Sequence, residues 1–262
     1  METSCDTATK NFVDKLIEIY VRKIDKTAGK DKMRESMLNW INTGTDSPYI
    51  DTLLSPPFSK ETFPIWWSGF WLENPDSETN PVKDMVSASL VVNGYSSIDT
   101  LMPTGALIEQ NNFWKECSKG VNFKWGEYIS KTYTQLALKS NPKQIGLFVS
   151  KDQAAFVKSD FYKVEFDLIL KHYNQHKQPV TLYIFNKEKH NCTDIQQLLE
   201  SKRGEVNRYI NFECVECAQL VDCARSIKQL IVTKHRPSTM GGKKRKTYKK
   251  SNRRKTRKAK NL

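Results

Sequence analysis

Glu165 is the residue whose placement most directly suggests chemistry. It lies within residues 159–168, SDFYKVEFDL, whose second half alternates apolar and charged side chains. Such alternation predicts a β-strand with one buried face and one exposed face. Because Lys163 and Asp167 share the parity of Glu165, a solvated strand face is the simplest interpretation. A carboxylate that faces a ligand is the alternative.

Tryptophan side chains form a second group that could bind a ligand. Trp66, Trp67 and Trp71 lie in a proline-rich segment without helical periodicity, and Trp114 and Trp125 follow further along the chain. An indole face stacks on planar ligands and attracts cations. For each of these tryptophans, packing in the core is an equal alternative to ligand binding.

The histidines and the phosphate and nucleophile motifs do not form a recognisable catalytic set. His172 and His176 are spaced i, i+4, but no HExxH pattern surrounds them and lysines flank them, so a polar turn is favoured over a metal pair. The sequence contains no GxGxxG motif, no P-loop and no GxSxG motif. We expect neither a bound metal nor a resident cofactor.

Four of the six cysteines lie close together in the C-terminal half. Cys214 and Cys217 form a C-x-x-C pair, with Cys192 before them and Cys223 after them. Zinc binding, unpaired buried thiols, and a disulfide between Cys192 and Cys214 are all compatible with this spacing. The spacing matches no zinc framework that we can name, and the three alternatives stay open.

The positions of these residues depend on the predicted elements. Apolar periodicity predicts helices at 9–24, 31–42, 112–118, 126–139, 194–203 and 217–232, and strands at 145–149, 161–170, 180–185 and 209–212. Strands that alternate with helices favour a mostly parallel sheet. The predicted fold class is α/β: a mainly helical segment 1–140 with a Trp-rich loop, an α/β segment 141–233, and a tail 234–262 that we expect to be disordered.

The C-terminal tail carries most of the net charge. Residues 243–262 contain 12 of the 42 Lys and Arg residues and no acid, against a net charge of +13 for the whole chain. A run this basic binds polyanions by counterion release. We expect nucleic acid or another anionic partner to contact Lys243, Lys244, Arg245, Lys246, Arg253 and Arg254. A tail that only increases solubility and has no single partner is the alternative. This tail, which begins with Gly241-Gly242, resembles the Lys/Arg-rich C-terminal extensions on many proteins of large DNA viruses.

Two further features bear on localisation. No apolar run reaches the roughly 18 residues needed to span a bilayer. The first residues, METSCDTATK, lack the apolar region of a signal peptide. We therefore expect an intracellular protein without a transmembrane segment and with reduced thiols. The nucleus, the cytoplasm of an infected host cell and the virion are the compartments compatible with the tail.

A set of short motifs, taken in order, resembles the ADP-ribosyl cyclase and NAD glycohydrolase family over about residues 60–225. The motifs are Trp67-Ser68, Phe113-Trp114-Lys115, Ser159-x-Phe161-x-x-Val164-Glu165, the strand VTLYIF, Cys192, Ser201-Lys202-Arg203, Phe212-x-Cys214 and Cys223. Each motif is short, and the resemblance depends on their order.

This resemblance implies a fold, a site and a reaction. The fold would be a helical segment packed on a small, mostly parallel sheet, with the active site in the cleft between them. Glu165 would be the catalytic carboxylate at the cleft end of its strand, and Trp67 and Trp114 would stack on the substrate. Ser159 would donate a hydrogen bond to a ribose or phosphate. The substrate would be NAD, cleaved through an oxocarbenium-like state to cyclic ADP-ribose, ADP-ribose or both.

The sequence also departs from the family pattern. The family usually carries Thr-Leu-Glu-Asp-Thr between the two tryptophans, and the nearest segment here is Ser-Ile-Asp-Thr at 97–100. Either Ile98 replaces the glutamate or Asp99 takes its place after a shift of one residue, and Glu109 is the candidate for a second family acid. Cys192 with Cys214 is the family disulfide that best survives.

These departures leave two other functions to consider. One is a cyclase-like module that binds a nucleotide with little or no turnover. The other is a nucleic-acid-associated protein that acts through its basic tail.

Overall fold

A computed structural model of the chain describes residues 3–54, 63–68, 95–98, 101–118, 124–149, 153–187, 189–203 and 208–234. Its α-helices begin with α1 Ser4–Lys23, α2 Lys30–Thr43, α3 Pro48–Leu53, α4 Leu107–Cys117 and α5 Trp125–Lys139. They continue with α6 Gln153–Phe156, α7 Phe166–His176, α8 Lys189–Arg203 and α9 Leu220–Lys234. A 3-10 turn, Thr104–Ala106, precedes α4, and a π-helical turn, Phe161–Glu165, leads into α7.

Five parallel strands form one sheet in the order β2-β1-β3-β4-β5. The strands are β1 Pro64–Ser68, β2 Ser96–Ser97, β3 Gln144–Val149, β4 Val180–Asn186 and β5 Ile210–Glu216. The α/β class with a small parallel sheet is therefore confirmed. The strand β1 lies inside the sheet, between β2 and β3, although it comes from a stretch that the sequence indicated to be a loop.

The strand order places a change of direction between β1 and β3. After β1 the chain moves outward to β2 on one side, and after β3 it moves outward to β4 and β5 on the other. In open parallel sheets, ligands bind outside the carboxyl ends of the strands at such a point. The register aligns Ser68, Val149, Asn186 and Glu216 as one row across that edge.

The prediction of a strand at 161–170 was wrong, because these residues are helical. A few alternating residues fit a strand or a helix, and only the longer pattern separates them. Phe161, Glu165, Ile169 and Tyr173 recur every four residues, and all four are buried on one helical face. Glu165 therefore occupies a position on the buried face of a helix, where an apolar residue would normally stand.

An aromatic cluster joins the N-terminal helices and shows which tryptophans are core. The Trp125 ring makes edge contacts with Trp40, Phe12 and Phe113, at centroid distances of 4.8, 5.4 and 5.2 Å. Phe12 and Phe113 stack on each other at 5.4 Å. Trp125 thus packs α5 against α1, α2 and α4, which leaves it no exposed face for a ligand.

All six cysteines are paired in the structure, contrary to the expectation of reduced thiols. Cys5 pairs with Cys117, Cys192 with Cys214, and Cys217 with Cys223. The second pair is the one that the family resemblance implies. The first joins the start of α1 to the end of α4. Zinc ligation by the C-terminal cysteines is excluded in this pairing, because a disulfide sulfur carries no thiolate.

The chain divides into a compact unit of residues 1–226 and a second unit of residues 227–262. The predicted boundary at residue 140 lies inside the first unit, where β1 pairs with β3 across it. The second unit is described for residues 227–234, which are helical. The basic residues 243–262 lie outside the described residues. Among the described helices, none is long and apolar enough to cross a membrane.

Candidate active site

Glu165 is a buried carboxylate at the junction of the π-helical turn and α7. The residue is 4% exposed. The amide of Phe166 bonds to the carbonyl of Phe161, five residues back, which is the π-helical pattern. Such turns occur often at functional sites. The hydroxyl of Ser130, on the facing helix α5, donates a hydrogen bond to the Glu165 carboxyl group.

A second carboxyl group lies near Glu165, and a third lies near the second. Asp160 precedes the π-helical turn and interacts electrostatically with Glu165, and Glu127, one turn before Ser130 on α5, interacts in turn with Asp160. The Asp160 residue is exposed as a whole, but its carboxyl end lies against Gly126. Three acids are thus gathered where α5 meets the π-helical turn.

The pKa of the Glu165 carboxyl group is raised well above its usual range, first by burial and then by the charge of Asp160. The bond from Ser130 favours the carboxylate and opposes this shift only in part. Burial also raises the pKa of Asp160, with Lys163 opposing the shift and Glu127 adding to it. A buried acid whose charged form is disfavoured until a cation arrives is typical of a ligand site.

Trp114 lies beside this acidic group. It is in the last turns of α4, whereas the predicted helix 112–118 would place it in the first turn, and it is 38% exposed. A Cβ atom at Gly126 would lie 3.5 Å from the Trp114 ring and 3.2 Å from a carboxylate oxygen of Asp160. The absence of a side chain at 126 therefore lets an indole and a carboxylate approach each other, which is a suitable environment for a planar cation.

At the end of β1, the side chain of Ser68, and not that of Trp67, lies on the side of the sheet that faces Glu165. Trp66 is buried against α5, where its ring nitrogen donates to the Thr134 hydroxyl at 3.0 Å, and its ring contacts Phe161. Because side chains alternate along a strand, Ser68 lies on the same face as Trp66, and Trp67 lies on the opposite face. The sheet therefore separates the Trp67 side chain from the face that Glu165 and its turn pack against.

Ser68 has an unusual environment at the carboxyl edge of the sheet. Its side chain is 2% exposed, and its hydroxyl oxygen has no hydrogen-bond partner, the one such buried side-chain atom within the described ranges. In the same row, the side-chain amide of Asn186 donates to the carbonyl of Val149 at 3.0 Å. A buried hydroxyl without a partner at the edge where parallel sheets bind ligands is a candidate ligand contact.

The other predicted site residues are less closely involved. The Ser159 hydroxyl donates to the Phe156 carbonyl at 2.7 Å and accepts from the Tyr162 amide, so it supports the start of the π-helical turn. Glu109 lies half-buried in the first turn of α4. Asp99 lies outside the described residues. Sequence reasoning did not assign a role to Ser68, Ser130 or Asp160, although Ser68 and Asp160 stood inside the motifs.

Among the residues that the structure describes, no group of three or more His, Cys, Asp or Glu side chains is arranged to hold a metal ion. Comparisons with known proteins found no protein-family model and no curated protein that matches this sequence.

A groove of about 360 Å³ lies between α5 and α7, and Glu165 is not among the residues that line it. It is lined in part by His172 and His176, whose rings stack at 4.2 Å, and His172 shares a hydrogen bond with Asn141 at 3.1 Å. Burial, followed by the charge of His176, lowers the pKa of His172 to about 4. The i, i+4 histidines thus form a stacked pair in the last turns of α7, whereas the sequence favours a polar turn.

Because the pKa of His172 is lowered in the folded protein, we expect the free energy of unfolding to decrease in acid. The unfolded chain binds a proton at His172 near its ordinary pKa, whereas the folded chain resists protonation until about pH 4, so folding stability falls as pH drops between these values. His172→Gln should reduce the fall in melting temperature between pH 7 and pH 4.5. His176→Gln is the matched control and should retain most of it. An equal fall in wild type and His172→Gln would contradict the assignment.

Proposed function

We propose that this protein cleaves the nicotinamide–ribose bond of NAD through an oxocarbenium-like state and gives cyclic ADP-ribose, ADP-ribose or both. The observation that carries the proposal is the buried Glu165 carboxyl group, which interacts with Ser130 and Asp160. Asp160 and the Trp114 indole in turn both lie against Gly126. The ordered motifs that resemble the ADP-ribosyl cyclase and NAD glycohydrolase family agree with it. NAD is the substrate, and no resident cofactor is proposed.

The reaction needs one carboxylate rather than the pair found in most glycosidases. Nicotinamide in NAD is a cationic ring and leaves as a neutral molecule, so no general acid has to protonate it. The positive charge moves to the ribosyl carbon as the bond breaks. A carboxylate directed at that carbon stabilises the developing charge in a site with little water. We assign this role to Glu165.

The raised pKa of Glu165 is compatible with this role. Without substrate, burial and Asp160 favour the neutral acid. A pyridinium ring or a ribosyl cation next to the carboxyl group favours the charged form and lowers its pKa. The cation thus supplies the counter-charge that the free site lacks, and the carboxylate interacts more strongly with the transition state than it would in water.

The neighbouring groups would orient the substrate. The exposed part of the Trp114 indole offers a stacking face for nicotinamide, with Asp160 adding negative charge beside it. The Ser68 hydroxyl would donate to a ribose or phosphate oxygen at the carboxyl edge of the sheet, which would give this buried group its partner. In this proposal the nicotinamide ring stacks on Trp114 alone rather than between Trp114 and Trp67.

The cation can react with two nucleophiles. Attack by the adenine of the same molecule gives cyclic ADP-ribose, and attack by water gives ADP-ribose. Incubating the purified protein with NAD and separating the products tests both outcomes. Release of nicotinamide supports the proposal. A rise in melting temperature with NAD that remains intact would instead favour the nucleotide-binding module. If NAD is not cleaved and the melting temperature does not change, a role in NAD chemistry is refuted.

The effect of Asp160 on Glu165 predicts a change in the pH profile. Activity requires the Glu165 carboxylate, so kcat/KM should fall as pH drops through the raised pKa of Glu165. Asp160→Asn removes the neighbouring negative charge, which should move this acid limb to lower pH.

Asp194→Asn, the same change at an exposed carboxyl group of α8, is the control and should leave the acid limb in place. An acid limb that does not move in Asp160→Asn would show that another group controls it.

A further inference from the structure

The Lys202 side chain makes three contacts with the segment that carries Glu165. Its ammonium group donates to the carbonyl oxygen of Tyr162, inside the π-helical turn. It forms an ion pair with Asp167 at 2.9 Å, in the first turn of α7. It also lies 4.7 Å from the centre of the Tyr162 ring. The side chain is 22% exposed, so these contacts are partly shielded from water.

The helix that presents Lys202 is itself firmly attached. Lys202 lies near the end of α8, and Ile195 and Leu199 on the same helix are completely buried. The disulfide between Cys192 and Cys214 ties the first half of this helix to β5. A lysine on a helix fixed in this way can restrain the turn that it contacts.

The π-helical turn needs such a restraint. A π turn shifts the backbone hydrogen bonds by one residue relative to an α-helix and is rare for that reason. On its other side the turn packs through Phe161 against Trp66 and Phe156, at centroid distances of 6.3 and 6.1 Å. Those contacts are apolar and do not fix the carbonyl groups, whereas the Lys202 ammonium bonds directly to one of them.

We propose that Lys202 is a positioning residue that holds the π-helical turn so that the Glu165 carboxyl group faces its ligand. This inference rests on the proposed function of Glu165. It also gives a physical role to Ser201-Lys202-Arg203, a motif that the proposed reaction does not otherwise use. Lys202 contacts the backbone of the turn through Tyr162 and is not assigned a contact with substrate.

Three variants separate positioning from a general effect on stability. Lys202→Met keeps much of the apolar stem and removes the ammonium group. Lys202→Arg keeps charge and donors. Asp167→Asn removes the ion pair and leaves the bond from Lys202 to the Tyr162 carbonyl. Each is assayed for kcat and KM of nicotinamide release, and the Glu165 carboxyl group is titrated by carbon-13 NMR, with Glu165→Gln used to assign its signal.

Lys202→Met should lower kcat by about tenfold or more with KM changed less than about twofold, because small displacements of a catalytic group have effects of this size. It should also bring the Glu165 titration toward its ordinary range, since a loosened turn admits water. Lys202→Arg and Asp167→Asn should stay within about threefold of wild type in kcat.

Unchanged kcat and an unchanged Glu165 titration in Lys202→Met would overturn the inference. So would a loss of kcat of the same size in Asp167→Asn, since the ion pair rather than the carbonyl bond would then be responsible. If the wild-type protein releases no nicotinamide, the proposed function fails. The NMR titration of Glu165 in Lys202→Met still decides whether Lys202 positions this group.

Discussion

Glu165→Gln is expected to reduce nicotinamide release from NAD by at least about 100-fold, the size of effect seen when one preorganised electrostatic group is removed. The glutamine side chain has nearly the same shape as glutamate, so the fold and the stacking of nicotinamide on Trp114 should persist. What it lacks is the negative charge that stabilises the ribosyl cation. The loss should therefore appear in kcat, with KM changed little.

The matched control is Glu116→Gln, the same change at an exposed glutamate of α4. It should retain the wild-type rate. Equal rates for wild type and Glu165→Gln would sink the assignment of Glu165, even if the protein proves to cleave NAD.

The same variant gives a second, independent readout through stability. Because the pKa of Glu165 is raised in the folded protein, its contribution to stability is fully present at low pH and is lost as pH rises through that pKa. Glutamine can accept the hydrogen bond from Ser130 and places no negative charge beside Asp160. Glu165→Gln should therefore melt at a higher temperature than wild type at neutral pH, and the difference should shrink in acid.

Removal of the disulfide between Cys5 and Cys117 should produce the largest change in stability. The bond joins residues 112 positions apart, and in the chain-entropy model such a crosslink contributes about 5 kcal/mol to the free energy of unfolding. The double variant Cys5→Ser, Cys117→Ser should show this loss in urea unfolding. The stacked Phe12 and Phe113 rings should keep α1 and α4 together in the remaining folded protein.

The double variant Cys217→Ser, Cys223→Ser is the natural comparison. Its bond closes only 6 positions, so the expected loss is smaller, about 2 kcal/mol. Both comparisons require protein purified without reductant. If reductant leaves the unfolding curve of the wild type unchanged, the cysteines do not contribute as disulfides.

The sequence predicted the main helices and three of the strands because each carries a strong local signal. The apolar residues of 9–24 lie on one helical face, and α1 spans Ser4–Lys23. The prediction at 126–139 likewise corresponds to α5, Trp125–Lys139. The internal strand β1 was missed, because the prolines and tryptophans around IWWS resemble a loop when pairing partners are unknown.

The candidate site was predicted only in part. Glu165 and Trp114 came from the ordered motifs, and the structure brings both to the place where α5 meets the π-helical turn. Asp160, Ser130 and Gly126 were not assigned roles, since a neighbouring carboxylate, a hydroxyl and a missing Cβ become meaningful only when another element faces them. The positions of Trp67 and Ser68 followed from the direction of β1 in the sheet.

By itself, the sequence determined the α/β class, the amphipathic helices and the separation of a near-neutral body from a basic tail. These features depend on composition and on periodicity over a few turns, which any short window of the chain contains. Only the tertiary structure decided that Glu165 is helical and buried, that Ser68 rather than Trp67 shares its side of the sheet, and that Lys202 contacts its turn. These outcomes depend on contacts between residues distant in sequence, and a local pattern carries no information about which element will lie opposite.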